Sequence, residues 1–286
     1  MLGAIEAGGT KFVLAVGETP DALAARHVIP TRAPSETLAE AAAWFAAQGG
    51  VEALGIGSFG PVELDRASDR WGFITNTPKP GWADCDIAGF FAKGLGVPVG
   101  FDTDVNAAAL AEHRAAGGGA GSLAYLTIGT GIGGGVVLGG EAVHGIAHPE
   151  IGHIYPRRHP QDTEFAGICP HHGDCLEGLA SGPAIFARWG KSLSDLPADH
   201  PAHAIIAEYV AQACHTLFAS VAVEQVVIGG GVASTPGLVE RIAERARALD
   251  AGYLPGGARH RVIRPRLGGD AGIVGAMLLA QGAAGA

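Results

Sequence analysis

The sequence predicts an α/β fold built from two similar lobes, and three observations support this prediction. Short apolar runs rich in β-branched residues alternate with longer stretches that favour helix. Glycine provides 46 of the 286 residues and clusters at the ends of the apolar runs without a period. The order of hairpin, strands, helices and glycine turn occurs in the first half and again from Leu123. We therefore expect a first lobe over residues 1–117 and a second over residues 118–269, with the last helix, within residues 270–286, joined to the first lobe.

The apolar runs are predicted to be strands because they are short and lie next to glycine turns. The first two form a hairpin around Gly8-Gly9, and residues 61–64 also have a strand-like pattern. The predicted strands are residues 4–6, 11–16, 54–57, 123–128, 136–138 and 225–228. The predicted helices are residues 35–48, 105–116, 182–190, 202–220, 236–249 and 270–281.

Charge and hydropathy exclude several classes of function. The formal net charge of −9 would repel a nucleic-acid backbone, whereas a nucleotide can arrive with Mg²⁺ and be held by backbone N–H groups. No apolar run approaches the roughly 18 residues of a membrane span, and the first residues lack the pattern of a signal peptide. We therefore expect a cytoplasmic protein without a nucleic-acid or membrane partner.

Two segments, residues 55–60 and 129–134, match the dinucleotide-binding pattern G-x-G-x-x-G. That pattern binds a dinucleotide only between a strand and a helix, and here both segments run into strand-like residues. The chain also lacks the Gly-Lys-Ser/Thr of a Walker A loop. What remains is a set of glycine turns between strands, where a backbone can approach a phosphate closely.

The first of these turns carries groups suited to a nucleotide phosphate. Thr10 offers a hydroxyl, Lys11 a cation, and Glu6 a carboxylate able to hold Mg²⁺ directly or through water. A plain hairpin with a surface lysine is the alternative. Since a second glycine loop also carries a threonine, Thr130, phosphate binding is the better interpretation.

A general base is expected near the start of the helix predicted from residue 105. Asp104 or Thr103 would cap that helix, and an aspartate there is held ionised by the helix N-terminus. In phosphoryl transfer such a carboxylate orients the attacking hydroxyl and takes its proton late. Asp102 is the competing candidate, and spacing alone does not decide between the two aspartates.

The segment from Cys169 to Cys175 contains Cys-x2-His-x2-Cys, which is typical of a metal site. Two thiolates with imidazole suit tetrahedral Zn²⁺, and four protein ligands indicate a structural role. The histidine ligands could come from any of four residues, and spacing leaves the choice open. These are His153, His159, His171 and His172.

Taken together, these motifs resemble those of the ROK family of bacterial sugar kinases, along nearly the whole chain. The most specific segments are residues 126–135, residues 149–153 and the Cys/His/Cys loop. Residues 5–12, 152–160 and 175–185 are similar to the zinc-containing fructokinase branch. The resemblance implies a two-lobed actin/hexokinase-like (ribonuclease H-like) ATPase fold with ATP and sugar between the lobes. It further implies ATP-dependent phosphorylation of a hexose, D-fructose first, in a homodimer.

The resemblance also implies roles for individual residues. Asp104 matches the base, although Thr103 stands where the family usually has Asn, and Glu6 stands where most members have Asp. The zinc ligands would be His153, Cys169, His172 and Cys175. The sugar site would include Gly60, Thr103, Asp104, Glu150, His153 and Glu177. The nucleotide would contact Gly8, Gly9, Thr10, Lys11, Thr130, Gly131, Gly229, Gly230 and Gly231, with Mg²⁺ at Glu6.

Three alternatives follow from the same resemblance. The first is a kinase of mannose, glucose or an amino sugar. The second is a sugar-responsive repressor, which would need a DNA-binding helix-turn-helix before the glycine hairpin, and that hairpin begins within the first ten residues. The third is a non-catalytic sugar-binding protein, against which the presence of Asp104, Lys11 and Thr130 argues.

Overall fold

A computed structural model describes residues 1–117 and 121–285 of the chain, and strands alternate with helices along them as predicted. The strands are β1 Leu2–Ala7, β2 Lys11–Thr19, β3 Ala22–Pro30, β4 Ala53–Ser58, β5 Phe73–Ile74, β6 Cys85–Asp86, β7 Val99–Thr103, β8 Ser122–Ile128, β9 Ile132–Leu138, β10 Glu141–Ala142, β11 Gln225–Gly229 and β12 Arg261–Ile263. The α-helices are α1 Pro34–Ala47, α2 Ile87–Leu95, α3 Asp104–Ala115, α4 Leu176–Ala180, α5 Gly182–Trp189, α6 Ala202–Ser220, α7 Leu238–Asp250 and α8 Ala271–Ala284.

Two five-stranded sheets share one topology. The first has the order β3-β2-β1-β4-β7, in which β1 pairs antiparallel with β2 and parallel with β4. The second has the order β10-β9-β8-β11-β12, in which β8 pairs antiparallel with β9 and parallel with β11. Each sheet is therefore a hairpin extended on one side by two parallel strands, which is the repetition that the sequence predicts.

The described residues form two compact units. The first consists of residues 1–111, 142–148 and 270–285, and the second of residues 112–117, 121–141 and 149–269. The lobe boundary expected at residues 117–121 includes residues 118–120, which lie outside the described residues, and that division stays a prediction.

Strands β1 and β4 of the first sheet are buried on both faces, as their nearly continuous apolar sequences require. One face packs on a core with five buried aromatic residues: Phe12, Phe45, Trp82, Phe91 and Phe101. On the other face, α8 covers β1 and β4 with Ile273 and Met277. Burial of side chains of this size contributes about 1.5–3 kcal/mol each.

The structure differs from the predicted elements at β3, α2 and β9. Strand β3 lies at the sheet edge, is largely exposed and has mixed polarity, so it carries no strand-like run. Helix α2 contains two glycines, and it depends on Asp86, whose Oδ1 accepts from the Gly89 N–H at 2.8 Å. In the second sheet, β9 begins at Ile132 and includes glycines that were expected to be loop.

The strand-like structure predicted at residues 61–64 occurs only as an isolated bridge, beside which the Glu63 N–H donates to the carbonyl of Phe73 in β5 at 2.9 Å. Val62 forms a single bridge with Ile74, and its N–H donates to Nε2 of His148 at 3.1 Å rather than to a strand. Pro61 has no N–H to offer a neighbouring strand. The exclusion of a dinucleotide motif remains sound, because β4 is followed by this loop and β8 by β9.

Among the helices of the described residues, none has both the length and the apolar character needed to cross a bilayer.

Candidate active site

The turn between β1 and β2 presents the residues expected to hold phosphate. The N–H of Gly8 donates to the carbonyl of Lys11 at 3.0 Å, which closes the turn. Thr31, which directly follows β3, stabilises this turn. Its hydroxyl donates to the Gly8 carbonyl at 2.7 Å, and its N–H donates to the Thr10 carbonyl at 2.9 Å. Gly9, Thr10 and Lys11 remain exposed on this rigid support.

Glu6 lies on the opposite side of β1 from the aromatic core. It shares a strand face with Leu2 and Ala4, so its carboxylate faces the first turn of α8 at Gly272. Burial raises the pKa of Glu6, while the cations Lys11 and Arg26 act in the opposite direction. Its Oε2 is buried without a hydrogen-bond partner. An orphaned buried carboxylate oxygen is a chemically suitable ligand for a hard divalent cation.

Asp104 is the first residue of α3 and is half-buried. Thr103 caps the helix, because its hydroxyl accepts from the Asn106 N–H at 3.0 Å. The helix start can approach β4 closely since position 57 is glycine, where an added Cβ would lie 2.9 Å from Cβ of Ala107. Of the two caps that the sequence left open, the structure therefore has Thr103.

Both oxygens of Asp102 are engaged within the protein. Its Oδ1 accepts from the Thr103 N–H and from Nδ2 of Asn106, each at 2.7 Å. Its Oδ2 lies 2.9 Å from Nε2 of His144. The Asp102 side chain is only 5% exposed, and its hydrogen bonds stabilise the turn between β7 and α3.

Gly60, expected at the sugar site, lies beside a second histidine of the same unit. A Cβ at Gly60 would be 3.7 Å from Cε1 of His148. Both histidines belong to residues 142–148, a segment that packs with the first unit.

In the second unit, the predicted nucleotide loops converge at the ends of β8 and β11. The Val232 N–H donates to the carbonyl of Ile128 at 2.9 Å, which places residues 229–231 beside the end of β8. The Gly182 N–H, at the start of α5, donates to the carbonyl of Gly129 at 2.7 Å. Thr130 is exposed at the tip between β8 and β9.

Glu177 contacts this loop directly. Its Oε2 accepts from the Ile132 N–H at 2.9 Å, and a Cβ at Gly131 would lie only 2.7 Å from the same oxygen. Glycine at position 131 thus lets a carboxylate expected at the sugar site support the predicted phosphate loop. Glu150 lies near His153, with 3.9 Å between Oε2 and Nε2.

Four side chains form a cluster that could hold a metal ion, and their candidate ligand atoms all lie within 4.8 Å of one another: His153, Cys169, His172 and Cys175. Nδ1 of His153 lies 3.3 Å from Nδ1 of His172 and 3.5 Å from Sγ of Cys175, and Sγ of Cys169 lies 3.7–3.9 Å from the two nitrogens. A regular tetrahedron with zinc–ligand distances of about 2.0–2.3 Å gives N···N of about 3.3 Å and N···S of about 3.6 Å. The donor set and its spacing therefore fit Zn²⁺.

The two other histidine candidates have different surroundings. Nδ1 of His159 accepts from the Gln161 N–H at 3.2 Å, and the exposed His171 is not one of the four clustered residues. Burial raises the pKa of the Cys175 thiol to about 11. A bound cation would oppose this effect, because metal ligation deprotonates a thiol.

Sequence patterns do not indicate His144 or His148 as site residues, although the structure places both histidines beside predicted site residues. Their spacing of four in a short segment was the available signal, and it is too common in loops to be informative by itself. The structure brings the remaining predicted residues together in four groups. In the first unit, Glu6 lies beside the β1–β2 turn, and Thr103 and Asp104 form the start of α3. In the second unit, Glu177 and residues 229–231 lie beside the β8–β9 loop, and Glu150 lies beside the Cys/His cluster.

Comparison with known proteins agrees with the predicted family along nearly the whole chain. A model of the ROK family matches residues 2–283. A fructokinase from Zymomonas mobilis subsp. mobilis is 44% identical over 290 residues, which cover 98% of this chain and 96% of that protein. A fructokinase from Pediococcus pentosaceus is 41% identical over 285 residues, covering 99% and 98%.

A solved structure extends the agreement to the fold. The crystal structure of a ROK hexokinase from Thermus thermophilus aligns with a TM-score of 0.76 and 32% identity, covering 98% of this chain and 97% of that one. The predicted family and fold class are thereby confirmed. The chain belongs to the ROK family.

Proposed function

We propose that this chain is an ATP-dependent hexose kinase whose preferred substrate is D-fructose, which it converts to fructose 6-phosphate. The observation that carries the proposal is the 44% identity to a fructokinase over 98% of the chain. The exposed, braced β1–β2 turn and the glycine loop at Thr130 are in keeping with a nucleotide substrate.

Asp104 is the proposed base, which orients the 6-hydroxyl of the sugar and takes its proton late in phosphoryl transfer. Two observations favour it over Asp102. It is the first residue of α3, where the helix N-terminus stabilises an ionised carboxylate. Asp102 is nearly buried, and its two oxygens already face Thr103, Asn106 and His144.

Other residues are proposed to bind the two substrates. Glu150, His153 and Glu177 would hold sugar hydroxyls, together with Gly60 and Thr103. The nucleotide phosphates would contact the backbone of residues 8–11 and 130–131, and the adenosine residues 229–231. Mg²⁺ would supply charge neutralisation on the phosphates, and Glu6 would hold it directly or through water. The buried unpartnered Oε2 of Glu6 supports this role.

The Cys/His cluster is proposed to hold a structural Zn²⁺ through His153, Cys169, His172 and Cys175. Four protein donors leave no open position for a reactant. The ion would fix the loop before α4, and with it the position of Glu177, two residues after Cys175. A homodimer and a cytoplasmic location complete the proposal, and analytical ultracentrifugation and cell fractionation test them.

The kinase proposal is tested by coupling ADP release to a panel of hexoses. We expect the highest kcat/KM with D-fructose. Asp104→Asn should lower kcat by about 10²–10⁴-fold, the usual contribution of a general base. Asp69→Asn, an exposed aspartate of the first unit, is the matched control and should leave kcat unchanged.

Each alternative has a distinct outcome. Preference for glucose, mannose or an amino sugar would replace D-fructose as the substrate while keeping the kinase. Sugar binding without ADP release would show a non-catalytic protein. Near-normal turnover of Asp104→Asn would refute the assignment of the base.

The zinc proposal is tested by elemental analysis of the purified protein and of Cys175→Ser. We expect one zinc per chain in the first and loss of zinc in the second, while Cys85→Ser, outside the cluster, keeps it. Chelation should also remove the hydrogen-exchange protection of α4, whose five residues cannot form a stable helix alone. A metal-free protein whose α4 is unaffected by chelators would contradict the proposal.

A further inference from the structure

The segment from Ala142 to His148 packs with the first unit and is held there by its histidines. Nε2 of His148 accepts from the Val62 N–H at 3.1 Å, and Nε2 of His144 lies 2.9 Å from Oδ2 of Asp102. Between them the segment is open to solvent, and Ile146 is fully exposed. The two histidines are therefore the contacts that fix an otherwise exposed segment.

Of these contacts, the one to Asp102 reaches a charged group in the protein interior. The carboxylate is 5% exposed, and an ionised group at such a site is costly unless each oxygen has a partner. Thr103 and Asn106 satisfy Oδ1. For Oδ2 the described partner is the imidazole of His144, which is 42% exposed and so reaches the carboxylate from the surface.

The same three residues define the start of α3. The Asp102 carboxylate accepts from the Thr103 N–H, and the Thr103 hydroxyl accepts from the Asn106 N–H. The side-chain amide of Asn106 in turn donates to Asp102. This closed ring of hydrogen bonds surrounds Asp104, the residue between Thr103 and the next helical turn. Any shift of the Asp102 carboxylate is transmitted to the backbone that carries Asp104.

We propose that His144 is a positioning residue for phosphoryl transfer: by pairing with Asp102 it holds the β7–α3 turn, and through that turn it aims the Asp104 carboxylate. The proposal rests on the proposed role of Asp104 as base. The hydrogen bond to Asp102 also raises the pKa of His144, and the described groups that face its ring are Asp102 on β7 and Asn106 on α3. The imidazolium form therefore persists to higher pH than in an ordinary histidine, which favours a charged pair.

The test compares His144→Ala, which removes the donor, with His144→Gln, which keeps an N–H donor on a side chain of similar reach. We expect His144→Ala to lower kcat for fructose at least about 10-fold with KM for ATP nearly unchanged, because small misplacement of a reacting group lowers the rate steeply. His144→Gln should restore most of kcat. Ile146→Ala, on the same segment but without a contact to the turn, is the control and should match the unchanged protein.

Two measurements do not depend on turnover. Hydrogen exchange at the amides of Thr103 and Asn106 should quicken in His144→Ala, while exchange within β2 stays the same. In Asp102→Asn, the pKa of the His144 ring, followed by NMR, should fall. That titration replaces the alanine variant if the latter does not fold.

The outcomes separate this inference from the proposed function. Unchanged kcat and unchanged exchange in His144→Ala, or an unchanged His144 pKa in Asp102→Asn, would overturn the positioning role. If instead Asp104→Asn kept its turnover while the exchange effect occurred, the base assignment would fail and His144 would position the turn without serving that residue.

Discussion

At the scale of single residues, Gly131 shows how one missing side chain permits a contact. The backbone there approaches Glu177 so closely that a Cβ would lie 2.7 Å from Oε2. By contrast, a Cβ at Gly129 would meet nothing within 4 Å, although both glycines belong to the same loop. The two positions therefore separate the effect of the contact from the effect of a stiffer backbone.

We expect Gly131→Ala to raise KM for ATP several-fold with little change in thermal stability. The atom that must move is the end of a flexible side chain, so the fold tolerates it, but Glu177 then leaves the Ile132 N–H. Gly129→Ala is the matched control. Equal kinetics in the two variants would show that the Glu177 contact does not support the loop.

Glu6 gives a prediction with a defined dependence on pH. Its pKa is raised by burial above the ordinary 4.5, so the folded protein holds this proton more tightly than the unfolded chain. The stability that the protonated group contributes is full below the unfolded pKa and is lost as pH rises through the folded pKa. Glu6→Gln cannot ionise and does not suffer this loss.

In protein free of Mg²⁺ and nucleotide, the urea midpoint of Glu6→Gln should therefore increase relative to that of the unchanged protein as the pH rises above 4.5. The exposed Glu18→Gln, at the other end of the hairpin, should show no such trend. A constant difference between Glu6→Gln and the unchanged protein would mean that burial does not govern the titration of Glu6.

The sequence places two aspartates at the candidate site but cannot rank Asp102 and Asp104 as the proposed base. The choice depends on contacts to His144, which is 42 positions away from Asp102 along the chain. Spacing within the segment carries no information about such a partner. The Cys/His cluster was easier to predict, because two of its cysteines and one of its histidines lie within seven consecutive residues.

At the scale of elements, a buried ion pair joins the loop between His153 and Cys169 to helices α5 and α6. Asp162 pairs with Arg188 of α5, where both side chains are 6% exposed, and it accepts from the hydroxyl of Tyr209 of α6 at 2.7 Å. The guanidinium of Arg158 donates to the carbonyls of Asp162 and Phe165. The loop is thus held by side chains where regular secondary structure is missing.

Asp162→Ala should lower the free energy of unfolding by about 3–5 kcal/mol, because it leaves Arg188 buried without its partner. The exposed pair Arg264–Glu240 provides the comparison, and Glu240→Ala should cost no more than about 1 kcal/mol. Urea titration measures both. Similar losses in the two variants would show that burial does not set the strength of the first pair.

Helices and strands could be predicted from the sequence where their own residues determine their structure. Strand β8 and helix α6 follow continuous apolar or helix-favouring runs, and their predicted bounds differ little from those observed. Strand β3 and helix α2 are stabilised by partners distant in sequence, namely pairing with β2 and packing of Ile87 and Phe91 in the aromatic core. Such partners are visible only in the folded chain.

At the scale of the whole molecule, α8 completes the first sheet although it is the last helix of the chain. Met277 and Ile273 are fully buried against β1, β2 and β4. Deleting residues 270–286 should therefore expose one face of that sheet, and hydrogen exchange should quicken in β1 and β4 while β8 and β11 keep their protection.

Deleting only residues 285–286 is the control, since the last fully buried residue of α8 is Ala280. Loss of protection in both sheets alike would mean that the second unit depends on α8 as well. That result would contradict the separation into two compact units.

The position of α8 also constrains how the protein matures on the ribosome. Strands β1, β4 and β7 leave the exit tunnel early, yet the helix that covers Leu2, Ala4 and Ala53 is translated after every other strand and helix. The second unit has all of its residues once Gly269 has emerged. Nascent chains are therefore expected to acquire the later unit first, against the usual order of synthesis, and the early strands are the part that chaperones would have to shield.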